Sequence, residues 1–161
     1  MAVVHPAPAG APGHTERLGV PWPWWLGAGA LAALLAAEVW LGAPGARSWL
    51  PFAVLLPLVA GALVWLGRIR ISVTDGELRV DDARLPVRFV ADAIALDAAG
   101  RRELLGAGAH PLAFVVQRPW VSGAVQVILD DPADPTPYWL VSSRRPVALA
   151  AAIRAARPPR D

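Results

Sequence analysis

Residues 22–41 read WPWWLGAGALAALLAAEVWL and residues 49–66 read WLPFAVLLPLVAGALVWL, with only Gly42–Ser48 between them. A helix needs ~20 apolar residues to cross a bilayer at ~1.5 Å per residue, so each stretch is near the length of a span. Glu38 is the one charge in the first stretch, and the second has none. The pair predicts a transmembrane helical hairpin and a membrane protein. Tryptophans mark the ends: Trp22, Trp24 and Trp25 open the first span and Trp40 closes it, while Trp49 opens the second and Trp65 closes it. On two such helices these rings form belts about 24 Å apart, as membrane-interface anchors do. Pro21 and Pro23 fall at the first turn of the first helix, where a missing N–H is tolerated, and Pro57 predicts a kink in the second. Gly29, Ala33 and Ala37 on the first helix, with Ala53 and Gly61 on the second, offer small-residue stripes for close helix packing. Glu38, about one turn from the outer interface, is placed to reach water or Arg47; one carboxylate in two helices is too little for an ion pathway.

Charge flanks orient the hairpin. Arg17, Arg68, Arg70 and Arg79 lie on one side and Arg47 alone in the turn, so the positive-inside rule puts both termini in the cytoplasm of a multi-pass plasma-membrane protein. A signal peptide fits poorly: no basic run precedes the first stretch, no clean cleavage site follows, and the second stretch comes directly after. Residues 1–19, rich in Ala, Pro and Gly, read as a disordered tail. The hairpin then occupies residues 20–67, and residues 68–161 form a cytoplasmic domain.

Composition narrows the function classes. The chain of 161 residues has 15 basic and 13 acidic groups, all the basic ones Arg, and no dense basic run, which speaks against nucleic acid as a partner. It has no Cys, which excludes disulfides, thiolate metal sites and a Cys nucleophile. His5, His14 and His110 share no metal-ligand spacing, so neither metal nor cofactor is expected. No G-x-S-x-G elbow, Walker-type loop or H-E-x-x-H occurs, and no enzyme is expected.

Beyond Gly67 the period becomes two. Ile69, Ile71 and Val73 alternate with polar residues, Asp75-Gly76 supplies a hairpin turn, and Leu78 and Val80 resume the alternation. Further strands are expected at Leu85–Val90, Asp92–Asp97, Leu112–Gln117, Ala124–Leu129 and Tyr138–Ser142, with a short helix or loop at Ala98–Leu105. Leu149, Ala150 and Ile153 make one face of a closing helix over Pro146–Arg157, with Ser143 available as its cap.

This order of seven strands and a C-terminal helix resembles the pleckstrin-homology-like barrel, in which a terminal helix plugs two packed sheets. More specific are Glu16-Arg17-Leu18, Val20-Pro21-Trp22, Arg118-Pro119-Trp120 and the run DDPADPTPYWLVSSRRP at residues 130–146. On these the chain resembles an actinobacterial membrane-protein family of unknown function (DUF3093), over nearly all its length after the tail. The resemblance implies a two-helix hairpin followed by a pleckstrin-homology-like domain, and no activity. The expected fold class is therefore a membrane α-hairpin plus a mainly-β (α+β) domain: two transmembrane helices, then a seven-stranded barrel with a C-terminal helix.

Five residues are candidates for binding. Trp120, Tyr138 and Trp139 are placed to line a groove with Arg118 at its rim, aromatics with Arg being the usual anchors of interfaces, though Trp120 is equally a core residue and Trp139 is the better candidate for burial. Arg144 and Arg145 stand at a helix start, where N–H groups and guanidinium forks hold a phosphate or carboxylate; alternatively a Ser caps the helix and the arginines pair with Asp130, Asp131 or Asp134. Asp130–Pro137 itself reads as an ordered hairpin loop stiffened by prolines rather than a cation site. The expectation is a non-catalytic binding or scaffolding module at the cytoplasmic membrane surface. Its partners are membrane lipids and an unidentified membrane or cytoplasmic protein; the alternative is recognition of an anionic lipid headgroup or small ligand.

Overall fold

The computed structural model describes residues 13–42, 45 and 49–158, which divide into two units, Gly19–Ile69 and the remainder of the chain. The first twelve residues and Arg47, on which the tail and part of the charge argument rest, lie outside the described residues.

In the helical unit, α1 (Trp22–Gly42) packs against α2 (Leu50–Leu66). Ala32 and Ala36, one turn apart, are the buried residues of α1, and Leu63 that of α2. The expected stripes are thus displaced: on α1 by one residue, while Ala53 is exposed on α2 and neither Gly29 nor Gly61 has a neighbour close to where a Cβ would stand. α2 runs through Pro57, and Pro51 lies in its first turn, where a missing N–H is tolerated. Among the described helices only α1 is long and apolar enough to cross a membrane. At ~1.5 Å per residue its length is about 31 Å, matching ~30 Å of hydrocarbon, whereas α2 covers about 25 Å. The expectation of two transmembrane helices is corrected on this point. Gly67, which ends α2, lies beside the chain entering α1: a Cβ there would come within 3.0 Å of the Val20 backbone nitrogen. Both ends of the helical unit therefore meet.

The second unit contains two four-stranded sheets. In the first, β1 (His14–Arg17), β2 (Arg70–Thr74), β3 (Glu77–Val80) and β4 (Ala83–Pro86) are antiparallel neighbours in chain order. Asp75 and Gly76 both take positive φ, 52° and 71°, as a two-residue type I′ hairpin turn requires. Ile71, Val73, Leu78, Val80 and Leu85 form the buried face. Within residues 1–19, read as a disordered tail, His14–Arg17 form β1 and pair with β2, Arg17 opposite Arg70 and His14 opposite Val73, while residues 1–12 lie outside the described residues. The buried positions of β1 are His14 and Glu16, so it carries no apolar alternation.

The second sheet has the order β5-β7-β8-β6, from β5 (Val90–Leu96), β6 (Phe114–Val116), β7 (Ala124–Leu129) and β8 (Tyr138–Ser142). β7 runs antiparallel to β5 and β8, while β6 lies parallel to β8 at an edge. A 3₁₀ turn at Val87–Phe89 divides the expected Leu85–Val90 strand between β4 and β5. α3 (Ala98–Leu105) starts with Asp97 as its cap, the carboxylate accepting from Ala99 and Gly100 N–H at 3.0 and 2.8 Å. α4 (Pro146–Ala155) buries Leu149, Ala150, Ala152 and Ile153, and contacts β1 and β2 of one sheet and β5 and β7 of the other. The core therefore lies on α4, between two open sheets. Among the described residues there are eight strands and no closed barrel, in place of the seven-stranded barrel expected: β4 and β5 share no ladder, and β1, β4, β5 and β6 all remain edges.

Candidate functional site

Glu16 is the centre of the most connected polar cluster described. The two-residue period of β1 turns His14 and Glu16 inward, where Glu16 is 6 % exposed. The chain leaving β8 meets it there. The Ser143 hydroxyl, fully buried, donates to Glu16 Oε2 at 2.7 Å, and the Arg144 N–H donates to Oε1 at 2.6 Å. His14 Nε2 stands 3.5 Å from Oε2. Ser143 Oγ also accepts from the Arg145 N–H at 3.1 Å, so the hydroxyl serves as donor and acceptor at once.

Two further contacts hold the same strand. Trp120, half-buried, donates its indole N–H to the Leu18 carbonyl at 3.2 Å, and the Arg145 guanidinium donates to the Thr15 carbonyl at 3.2 Å. Nearby, the Arg118 N–H donates to Ser142 Oγ at 3.1 Å. Gly123 completes the corner: its carbonyl accepts from the Ser143 N–H at 3.0 Å, and a Cβ on it would lie 2.9 Å from the Ser143 carbonyl oxygen.

Four of the five candidate residues, Arg118, Trp120, Arg144 and Arg145, thus gather where β8 turns into α4 against β1. Tyr138 does not join them. It is buried with Ala124 and Leu140, its hydroxyl donating to the Gly108 carbonyl at 3.4 Å and accepting from His110 N–H at 3.3 Å. Trp139 points to the opposite face of β8 and meets Phe114 in a tilted ring contact with centroids 4.4 Å apart. A single groove lined by Trp120, Tyr138 and Trp139 is therefore not formed. The start of α4 does hold a carboxylate, as a helix N-terminus is suited to do, but it is the chain's own Glu16. Arg145, without a side-chain bond to the helix, occupies the cap position expected of Ser143, and its guanidinium turns to β1 rather than to the Asp130–Asp134 loop.

The cluster has the residue types of a nucleophilic triad in the wrong order. Ser143 bonds directly to the carboxylate, whereas activation requires an imidazole between hydroxyl and carboxylate to take the proton. Its hydrogen bonds tie β1 to the start of α4. Among the described residues no group of three or more His, Asp or Glu is placed to share a metal ion.

The Asp130–Pro137 loop is tied by its own aspartates: Asp131 accepts from the Ala133 N–H and Asp134 from the Thr136 N–H, each at 2.9 Å. The Thr136 hydroxyl, and after it the Thr136 N–H, hold the Asp134 carboxyl below the ordinary aspartate value, with burial opposing. The support this gives the loop is present above the ordinary value and disappears as pH falls through the lowered one. A carboxyl-carbon NMR titration of Thr136→Val is expected to show the Asp134 midpoint moved upward from the wild-type position.

Comparison with known proteins adds a family and no function. No curated protein and no solved structure matches. A family model matches residues 13–153, so that β1, both helices of the helical unit, both sheets and most of α4 fall within it. The chain belongs to that family, described as protein of unknown function (DUF3093).

Proposed function

We propose that this protein is a membrane-anchored, non-catalytic binding module: the helical unit sits in lipid, and the β unit is held at the cytoplasmic surface of the plasma membrane, where it steadies or recruits a partner protein. The observation that carries this reading is the outward apolar surface of α1 and α2. All six tryptophans, with Leu26, Leu31, Leu34, Val54, Leu58 and Val64, are exposed. Each such side chain gains about 2 kcal/mol on leaving water, and a lipid phase accommodates the whole surface at once. The arginines flanking the helical unit, against Arg47 alone in its turn, support the cytoplasmic side.

For the partner, edge strand β6 is the favoured surface. Phe114 and Val115 in it and Leu112 just before it are exposed, and its outer edge offers unpaired backbone groups to an added strand. The test is purification of the full chain from its native membranes in mild detergent, beside a Leu112→Glu/Val115→Glu variant. A protein in stoichiometric amount with the wild type and lost from the variant is the expected result. Its persistence on the variant removes β6 from the reading, and purification of the wild type with no such protein overturns the scaffold role.

A further inference from the structure

The outward face of the first sheet gathers arginines. Register places Arg17 directly opposite Arg70, and Thr15, Ser72, Arg79 and Arg84 in one row across all four strands. The four arginines are exposed, and lie within two rows about 7 Å apart on strands about 5 Å apart. Glu77 is the one carboxylate at an outward strand position; it is bound by Arg79 at 2.9 and 3.0 Å. Asp75, Asp81 and Asp82 stand at the turns that bound the face. Among the described residues Arg17, Arg70 and Arg84 have no carboxylate within 4.0 Å. Like charges placed directly opposite across a ladder, as at Arg17–Arg70 and Arg79–Arg84, repel. An external anion relieves that repulsion.

We infer that this face docks on the anionic headgroups of the membrane in which the helical unit is anchored, an inference that rests on the anchoring proposed above. Chain length selects lipid among polyanions. Four residues separate Arg17 from the start of α1, and three separate Arg70 from the end of α2. At no more than ~3.5 Å per residue, both arginines stay within about 18 Å of the apolar helices. Headgroups are therefore the anions at permanently high local concentration. Arg145, whose guanidinium donates to the Thr15 carbonyl, adjoins the β1 edge of this face.

The absence of Cys allows a single probe. Ser72→Cys, at the centre of the face, is labelled with bimane in the full chain and reconstituted in nanodiscs of phosphatidylcholine alone or with phosphatidylglycerol. Acrylamide quenching is expected to fall in the anionic discs and to recover at about 1 M salt, where screening is complete within ~3 Å. Arg70→Gln/Arg84→Gln is expected to reduce the docked-to-undocked ratio about 25-fold, each arginine contributing about five-fold, with an unchanged or higher melting temperature. Equal quenching in the two kinds of disc overturns the inference, as does protection by an added oligonucleotide but not by phosphatidylglycerol. A chain that does not enter discs at all contradicts the anchoring instead.

Discussion

Glu16→Ala is expected to destabilise the β unit by about 3 kcal/mol. The substitution leaves the fully buried Ser143 hydroxyl and the Arg144 N–H without their acceptor, and an unsatisfied buried donor costs about 1–3 kcal/mol. It also removes the negative charge beside the start of α4, which adds a smaller loss. Glu16→Gln keeps the shape and one acceptor oxygen, so about half the loss is expected. Denaturant unfolding of the full chain, followed by tryptophan fluorescence, measures both. If instead the two variants unfold with wild-type midpoints, Glu16 does not fasten β1.

Gly123→Ala is expected to cost about 2–3 kcal/mol by a different route. The new methyl would stand 2.9 Å from the Ser143 carbonyl oxygen and 3.0 Å from Pro146 Cγ, and neither is the end of a flexible side chain. The backbone must move, and it carries with it the Ser143 N–H bond to Gly123 and the hydroxyl that reaches Glu16. Because both substitutions act through Ser143, the loss in the Glu16→Gln/Gly123→Ala double variant is expected to fall short of the sum. A fully additive double variant, measured in the same unfolding experiment, would show that the two residues hold separate parts of the corner.

Much of the β unit was legible because its elements announce themselves locally. β2 and β3 meet at Asp75-Gly76, and β7 and β8 fall at the bounds their hydrophobic runs suggest. Strand β1 was hidden because a half-buried strand is recognised by apolar alternation, and the inward residues here are His14 and Glu16. Missing it also concealed the corner, since Glu16 meets Ser143 across 127 positions of chain. Arg118-Pro119-Trp120 and the Ser143-Arg144-Arg145 run were visible as unusual sequence, yet their chemistry was read as outward when much of it faces β1. Gly123 had no signal, because its need for a missing side chain arises only where Ser143 and Pro146 pass. The second apolar stretch was read as a span from composition, whereas its helix is 17 residues long. The barrel failed for a reason that no single strand shows: closure needs ladders between β4 and β5 and between β1 and β6, and the 3₁₀ turn after β4 ends one sheet before the other begins.

Alkaline carbonate extraction of membranes from cells producing the full chain bears on the anchoring with the fewest intermediate steps. High pH strips proteins held by charge or by a partner and leaves those held by apolar burial in lipid. The exposed apolar surface of α1 and α2 predicts that the chain stays with the sedimented membranes and is released only by detergent. Recovery of the folded chain in the alkaline supernatant would contradict membrane anchoring by the helical unit.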